Sequence, residues 1–447
     1  MNTILRYMLS LNRSMLVALS FMLIIACGTG LLMLPISNVS GEGLPFVDAL
    51  FTATSASCVT GLIVVDTGTH FTRFGQMVII SMIQIGGLGL MTITTLFSLG
   101  LGKQLNLRAK LLVQESLNQA DPSAVIQTVK RVITYTFIIE IMAGTALTCM
   151  LFDKFGTEAV YLGFWHAVSA FCNAGFDLFG NFNSLTGYAD DYSVNLTIMA
   201  LIILGGIGFT VIGDVARNLS WKKLSLHTKI VLSFNTGLLV LGTVFFWLLE
   251  QNNPRTLGFM GTDVQWLAAA FQSVSARTAG FNTVDLAAMM PATYVMMSAL
   301  MFIGASPAST GGGLKTTTFA VLVLTTLNQL RGKKEVVIFN RRIDQELVNK
   351  AFSIFLMSVL WVLLAVFLIM ALDTGKHNFE LVVFEVFSAF GTVGLGVGIT
   401  PEWNVYCKLV LIATMFIGRI SILTFGLSFF SHKIDKVRYP SERISVG

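Results

Sequence analysis

The sequence predicts an all-α polytopic membrane protein: four pseudo-symmetric repeats, each helix–pore helix–filter loop–helix, around one central pore. Three observations carry this. The chain of 447 residues is 54% hydrophobic and only 12% charged, whereas a soluble domain is about 25% charged. Apolar runs long enough to cross a bilayer, roughly 17–25 residues, occur near 14–34, 76–101, 131–152, 194–213, 228–249, 350–372 and 405–430, and an eighth, 292–328, is interrupted by GASPASTGGG. Between consecutive pairs of runs, a short segment and a glycine-bearing loop recur on one beat.

The first run, Ser14 to Leu34, follows Arg6 and Arg13. It is too long for a signal-peptide core and lacks a small-x-small cleavage site, so it reads as a spanning helix. The short segments are PFVDALFTATSA, YLGFWHAVSAF, VQWLAAAFQSVSA and FELVVFEVFSAF, 11 to 13 residues each. That length suits re-entrant helices rather than spans. The loops after them are SCVTGL (57–62), FCNAGF (171–176), ARTAGF (276–281) and FGTVGL (390–395). Each has a glycine followed by Leu or Phe, at Gly61, Gly175, Gly280 and Gly394, with separations of 114, 105 and 114 residues. A second marker keeps the beat in the following run: IGGLG (85–89), LGGIG (204–208), FIGAS (302–306) and FIGRI (416–420). Two markers in register define repeats at 1–102, 103–217, 218–330 and 331–447.

Charge sets the expected orientation. With the short helices on one side and the links and termini on the other, the link side carries 21 Lys/Arg against five on the loop side, Arg73, Lys154, Arg255, Arg277 and Lys376. Basic residues favour the cytoplasm, so both termini are expected inside and the loops outside. Acids run the other way, 15 outside against 8 inside, which predicts an outer mouth that concentrates cations.

A dehydrated potassium ion needs its water oxygens replaced, and a ring of backbone carbonyls does this. Thr392, Val393 and Gly394 form the triplet that lines potassium-channel filters. The matching positions are Val59, Thr60 and Gly61; Asn173, Ala174 and Gly175; Thr278, Ala279 and Gly280. Glycine adopts the required dihedrals at no steric cost, and each short helix aims its negative C-terminal end at the axis. The interrupted run, with Gly304, Ala305, Ser306, Pro307, Ser309, Thr310, Gly311, Gly312, Gly313 and Lys315, is expected beneath this ring as a flexible gate. Arg419 lies within the last run, placed either to hydrogen-bond that segment's carbonyls or to stand as a positive barrier. Arg277, inside the third loop, is expected to sit behind the ring, paired with an acid such as Asp66, Asp177 or Asp285. Glu140 reads as a structural hydrogen bond, and His166 as packed.

Other chemistries are poorly supported. Cys27, Cys58, Cys149, Cys172 and Cys407 have no CxxC spacing, so neither zinc nor disulfides are expected. No nucleophile, base and orienting group cluster, which argues against an enzyme. Leu314 stands before Lys315 where a phosphate loop needs glycine, and no dinucleotide fingerprint occurs.

These motifs together resemble the Trk/Ktr/HKT family of cation transporters, most closely the KtrB/KtrD-like membrane subunits of bacterial Ktr systems. The resemblance rests on the four loops and on VVDTGTHFTRFGQ, IQIGGLGLMT, NAGFDLF, GGIGFTVIGD, SLHTK, RTAGFN, LRGKKEVVIF, SAFGTVGL, MFIGRI and RYP, in that order along nearly the whole chain. It implies potassium as the transported ion, since members with glycine at all four filter positions prefer it and some plant relatives with serine in the first loop conduct sodium. It implies an intramembrane gating loop at about Ala305 to Thr317, faced by Arg419. It also implies a homodimer in the bacterial plasma (inner) membrane, seated on an octameric cytoplasmic ring of RCK subunits (KtrA/KtrC-type) that bind ATP or ADP. The basic stretch RGKKEVVIFNRR (331–342) is then a docking surface. Partners are otherwise the lipid bilayer and no nucleic acid. Sodium enters either as an activator or, in the alternative reading, as the driving ion of a sodium-coupled potassium symporter.

Overall fold

The computed structural model describes residues 13–89, 125–333, 335–423 and 426. The first unit is α1 (Arg13–Leu32), α2 (Phe46–Ser57) and α3 (Arg73–Leu88). The second is α4 (Val125–Phe155), α5 (Glu158–Phe171) and α6 (Tyr192–Ile207), with α7 (Phe209–Arg217) after it. The third is α8 (Leu226–Glu250), α9 (Thr262–Ser275) and α10 (Pro291–Phe302), then the interrupted segment and α11 (Thr316–Leu330). A hairpin of β1 (Val337–Ile338) and β2 (Arg341–Arg342) leads to α12 (Gln345–Asp373), α13 (Phe379–Gly391) and α14 (Val405–Ile420). Phe339 and Asn340 turn it with φ of 50° and 59°, the left-handed pair of a tight hairpin. The basic link between the third and fourth units thus contains a hairpin; Lys334 and the RYP stretch lie outside the described residues.

Among the described residues, α1, α4, α8 and α12 are long and apolar enough to cross a membrane, and the pair α6–α7 passes the same test only if its two bent halves are counted together. Only 22–33% of these four long spans is buried within the protein. Their remaining apolar surface, including Leu23, Leu363 and Phe367, is suited to lipid.

The second helices depart from expectation. The sequence predicts one interruption, in the third repeat, yet all four stop near the marker glycine: α3, α6 and α14 at Leu88, Ile207 and Ile420, just after it, and α10 at Phe302, just before it. Helices α3, α6 and α14 each have 16 residues, about 24 Å at 1.5 Å per residue, which is short of the roughly 30 Å hydrocarbon core. They end at Gly89 (φ 80°), Gly208 (φ 99°) and Ser421 (φ 78°). After Gly208 the chain turns by 97° into α7. A non-glycine residue at that φ costs about 1–2 kcal/mol, so Ser421 is held there by its surroundings. The runs predicted at 76–101, 194–213 and 405–430 are therefore not continuous helices; residues 90–124 lie outside the described residues.

Packing closes the units into a ring. Each pore helix packs on its own unit's long helix, α2 on α1, α5 on α4, α9 on α8 and α13 on α12. Each second helix then packs on the pore helix of the next unit: α3 on α5, α6 on α9, α10 on α13, and α14 back on α2. Phe51, Phe171, Phe271 and Phe384 of the four pore helices are fully buried. So are the residues after the loop glycines, Leu62, Phe176, Phe281 and Leu395. This explains why Leu or Phe recurs there: each wedges its loop into the core.

Candidate ion pathway

The four predicted triplets come together. The first residue of each is left-handed, Val59 at φ 57°, Asn173 at 59°, Thr278 at 76° and Thr392 at 49°, and so is each glycine, at 96°, 70°, 83° and 91°. A β-carbon placed on Gly175 would lie 2.7 Å from the Ala279 carbonyl oxygen, and one on Gly280 would lie 2.6 Å from that of Val393. On Gly61 it would collide with the Ala174 oxygen, and on Gly394 with that of Thr60. Each glycine thus abuts the middle carbonyl of the next unit, in a cycle that closes from the fourth unit to the first. Side chains at the first and middle positions are fully buried, leaving the main chain to face the axis.

Four serines that sequence reasoning missed brace these loops. Ser55 Oγ accepts from Gly61 N and Ser388 Oγ from Gly394 N, both at 3.1 Å. Ser169 Oγ donates to Phe176 O at 2.6 Å, and Ser275 Oγ donates to Phe281 O. The signal was present, since Ser55, Ser169 and Ser388 precede their glycines by six residues and Ser275 precedes its own by five. His166 steadies the second loop as expected of a packed residue: its Nδ1 lies 2.7 Å from Leu162 O and its Nε2 accepts from Leu178 N at 3.2 Å.

The interrupted segment crosses directly below this ring. Gly312 N donates to Thr392 Oγ1 at 3.0 Å, and a β-carbon on Gly311 would collide with Thr278 Oγ1. Its backbone is paired with the breaks of neighbouring units: Ser306 N to Gly206 O at 3.0 Å, Thr310 N to Gly205 O at 3.2 Å, Gly313 N to Gly418 O at 3.1 Å. The carbonyl of Ala308 in turn accepts from Phe209 N at 2.9 Å. Hence the freed polar groups of a broken helix, costly in hydrocarbon, are met by groups freed at the other breaks. Lys315 Nζ donates to Gly311 O at 2.6 Å. Ala305, Ser306, Pro307, Thr310 and Gly311 are buried in this plug, and Gly304, Gly312, Gly313 and Ser309 complete it.

The two arginines separate in role. Arg419 donates to the carbonyls of Thr310 and Gly86, so it ties the segment to α3, in line with the hydrogen-bonding alternative. Arg277 corrects its expectation. It pairs with no acid among the described residues; it reaches Asn235 Oδ1 at 2.9 Å, Gly304 O at 3.0 Å and Thr316 Oγ1 at 3.1 Å. Three dipoles meet the cation where a single carboxylate was expected. Glu140 accepts from Gln84 Nε2 at 3.2 Å, as its structural reading required.

Several acids on the loop side are spent on structure. Asp66 accepts from Thr69 N at 2.8 Å and Phe182 N at 2.7 Å. Glu385 accepts from Val397 N and Thr400 Oγ1, both at 3.0 Å. Glu250 accepts from Met290 N at 2.8 Å and Thr256 Oγ1 at 2.6 Å. The acid excess read as cation-attracting is therefore in part a set of internal braces. Exposed Glu402 remains at the rim, where a hydrogen bond from Lys376 and that lysine's charge hold its carboxyl below the ordinary range.

The site is thus a closed ring of four loops above one interrupted segment. The family model for TrkH, a cation transport protein, matches residues 9–438. The chain belongs to this family. That makes it a transporter, not an enzyme. It is 45% identical over 431 residues to Ktr system potassium uptake protein B of Bacillus subtilis, covering 96% of both chains. It is 38% identical to the potassium/sodium uptake protein NtpJ of Enterococcus hirae, covering 97% of this chain and 96% of that one. The crystal structure of the potassium transporter TrkH from Vibrio parahaemolyticus superposes with a TM-score of 0.75 at 20% identity, over 94% of this chain and 85% of that one. At that identity the likeness speaks for the fold alone, an all-α multi-pass membrane protein.

Proposed function

We propose that this chain takes up potassium through a selective, channel-like pore whose filter is the ring of four triplets. The carrying observation is the closed cycle in which each loop glycine abuts the middle carbonyl of the next unit. Four equivalent oxygens at one level replace the hydration shell of one ion, and the Bacillus subtilis relative is a potassium uptake protein. The segment Gly304–Gly313 is the gate: it lies against Thr278 and Thr392 at the inner end of the ring and is latched by Arg419. Basic residues on the links put both termini in the cytoplasm of a bacterial inner membrane.

Regulation comes from outside the chain. The Bacillus subtilis relative is one part of a named Ktr system, which supports a homodimeric membrane subunit on an octameric RCK ring, with ATP or ADP bound only by that ring. The exposed hairpin arginines Arg341 and Arg342 are suited to dock it. A sodium-coupled symporter is the second reading, favoured by the potassium/sodium uptake assigned to the Enterococcus hirae relative.

Rubidium uptake into liposomes holding the purified chain, with sodium as competitor and with or without a sodium gradient, tests both. Uptake that saturates, resists excess sodium and ignores the gradient is expected. Equal sodium permeation would overturn the filter, and uptake driven by the gradient would establish symport.

A further inference from the structure

The position three residues before each filter glycine is occupied by Cys58, Cys172, Arg277 and Gly391. A small side chain suffices in three repeats. The arginine stands in the one repeat that carries the inserted segment. Its guanidinium holds the first carbonyl of that segment, Gly304 O at 3.0 Å, and the first helical turn beyond it, Thr316 Oγ1 at 3.1 Å. It is anchored by Asn235 Oδ1 of α8 at 2.9 Å, while Asn235 Nδ2 donates to Ser306 Oγ at 3.0 Å. Thr316 N in turn donates to Ala305 O at 3.3 Å, so start and end are also stitched to each other. Arg277 is 6% exposed, and the residue after it is Thr278, the first of the third triplet. All three contacts are made by Nη2, and charged donors make the stronger hydrogen bonds. The middle of the segment is held separately, by Arg419 on Thr310 O, by Gly205 O on Thr310 N and by Thr392 Oγ1 on Gly312 N.

We propose that Arg277 is a hinge clamp: it fixes both ends of the interrupted segment to the third filter loop, so that opening displaces only Pro307–Gly312 between them. It is a positioning residue, and the assignment rests on the segment being the gate. Filter and gate then share one buried cation: loosening either end of the clamp lowers the barrier to opening, and loss of the cation itself also disturbs Thr278.

The test is resting rubidium uptake and the rubidium/sodium permeability ratio of the full chain in liposomes, for Arg277→Gln, Arg277→Lys, Thr316→Val and the Arg277→Gln/Thr316→Val double variant. Losing a hydrogen bond to a charged donor is expected to raise resting uptake about tenfold in Arg277→Gln and in Thr316→Val. The double variant is expected to match Arg277→Gln alone, because both changes cut one device. Arg277→Lys should recover part of the closure, and only the Arg277 variants should raise sodium permeability. Additive effects, or changed selectivity in Arg277→Gln with unchanged resting uptake, would overturn the clamp. Thr316→Val, close to isosteric, carries the test alone if Arg277→Gln does not fold. Arg419→Gln separates the two readings. If it raises uptake while the Arg277 and Thr316 variants do not, the clamp fails and the gate stands; if none of them does, the gate itself fails.

Discussion

The third repeat and the other three part company at one level of the molecule and agree at another. In repeats one, two and four the marker glycine of the second helix, Gly86, Gly205 or Gly418, lies so close to a pore-helix carbonyl, that of Ser57, Phe171 or Phe390, that a β-carbon would collide with it. In the third repeat Gly304 faces instead the carbonyl of Gly312, a residue of the inserted segment. One level up, at the loop glycines, the four units are alike in dihedral and in neighbour. The contrast has a physical logic. Four equivalent ligands around one ion require fourfold repetition, whereas a single plug across the axis needs one copy and excludes three others. Small residues let backbones approach where no hydrophobic force draws helices together in lipid, and the plug has replaced one such contact.

The largest expected effect breaks the close approach itself. Gly205→Val places a β-carbon against the Phe171 backbone, which cannot yield, and is expected to cost more than about 3 kcal/mol. Little folded protein should survive size-exclusion in detergent; a stable variant would remove the packing account of the marker glycines. Next comes the level where the repeats differ. Deleting residues 305–313 is expected to raise resting rubidium uptake by at least about tenfold, which corresponds to about 1.4 kcal/mol of lost closure. Uptake no higher than that of the unaltered chain, in a folded variant, would sink the gate. At the level where the repeats agree, Gly61→Ser forces a side chain into φ 96°, a strain of about 1–2 kcal/mol. The potassium/sodium permeability ratio should fall about tenfold. An unchanged ratio would show that equivalence of the four loops is not what selects.

A gentler probe is Ser388→Ala, which removes the hydroxyl that receives Gly394 N. One net hydrogen bond of about 1 kcal/mol predicts roughly a fivefold loss of discrimination, with uptake retained. The smallest effect is expected for Glu140→Gln, which keeps an acceptor for Gln84 Nε2. Rubidium uptake should change less than about threefold, as for a bond that braces. A larger loss would give Glu140 a part in transport.

Much of this was legible beforehand, unevenly. The loop glycines were, because a left-handed backbone selects its residue locally and does so four times. The bracing serines were written at near-constant spacing, yet a hydroxyl in an apolar helix is not distinctive until its partner is known. The breaks after α3, α6 and α14 were hidden because the apolar runs continue through Gly208 and Ser421, and hydropathy does not register a change of direction. Arg277 misled for a different reason. A buried cation suggests an acid, and here its charge is met by a carbonyl 27 residues away, an amide and a hydroxyl.

By itself, then, the sequence determined the membrane class, the number of units, the short helices and the glycines on which the loops turn. These come from composition, run length and single-residue backbone preference, all local quantities. Tertiary structure decided the order in which the units close, the partners of Arg277 and Arg419, and the mutual pairing of backbone groups freed at the breaks of the second, third and fourth units. Each of these depends on which surfaces meet across separations of 27 to 333 residues of chain, and no local preference encodes that.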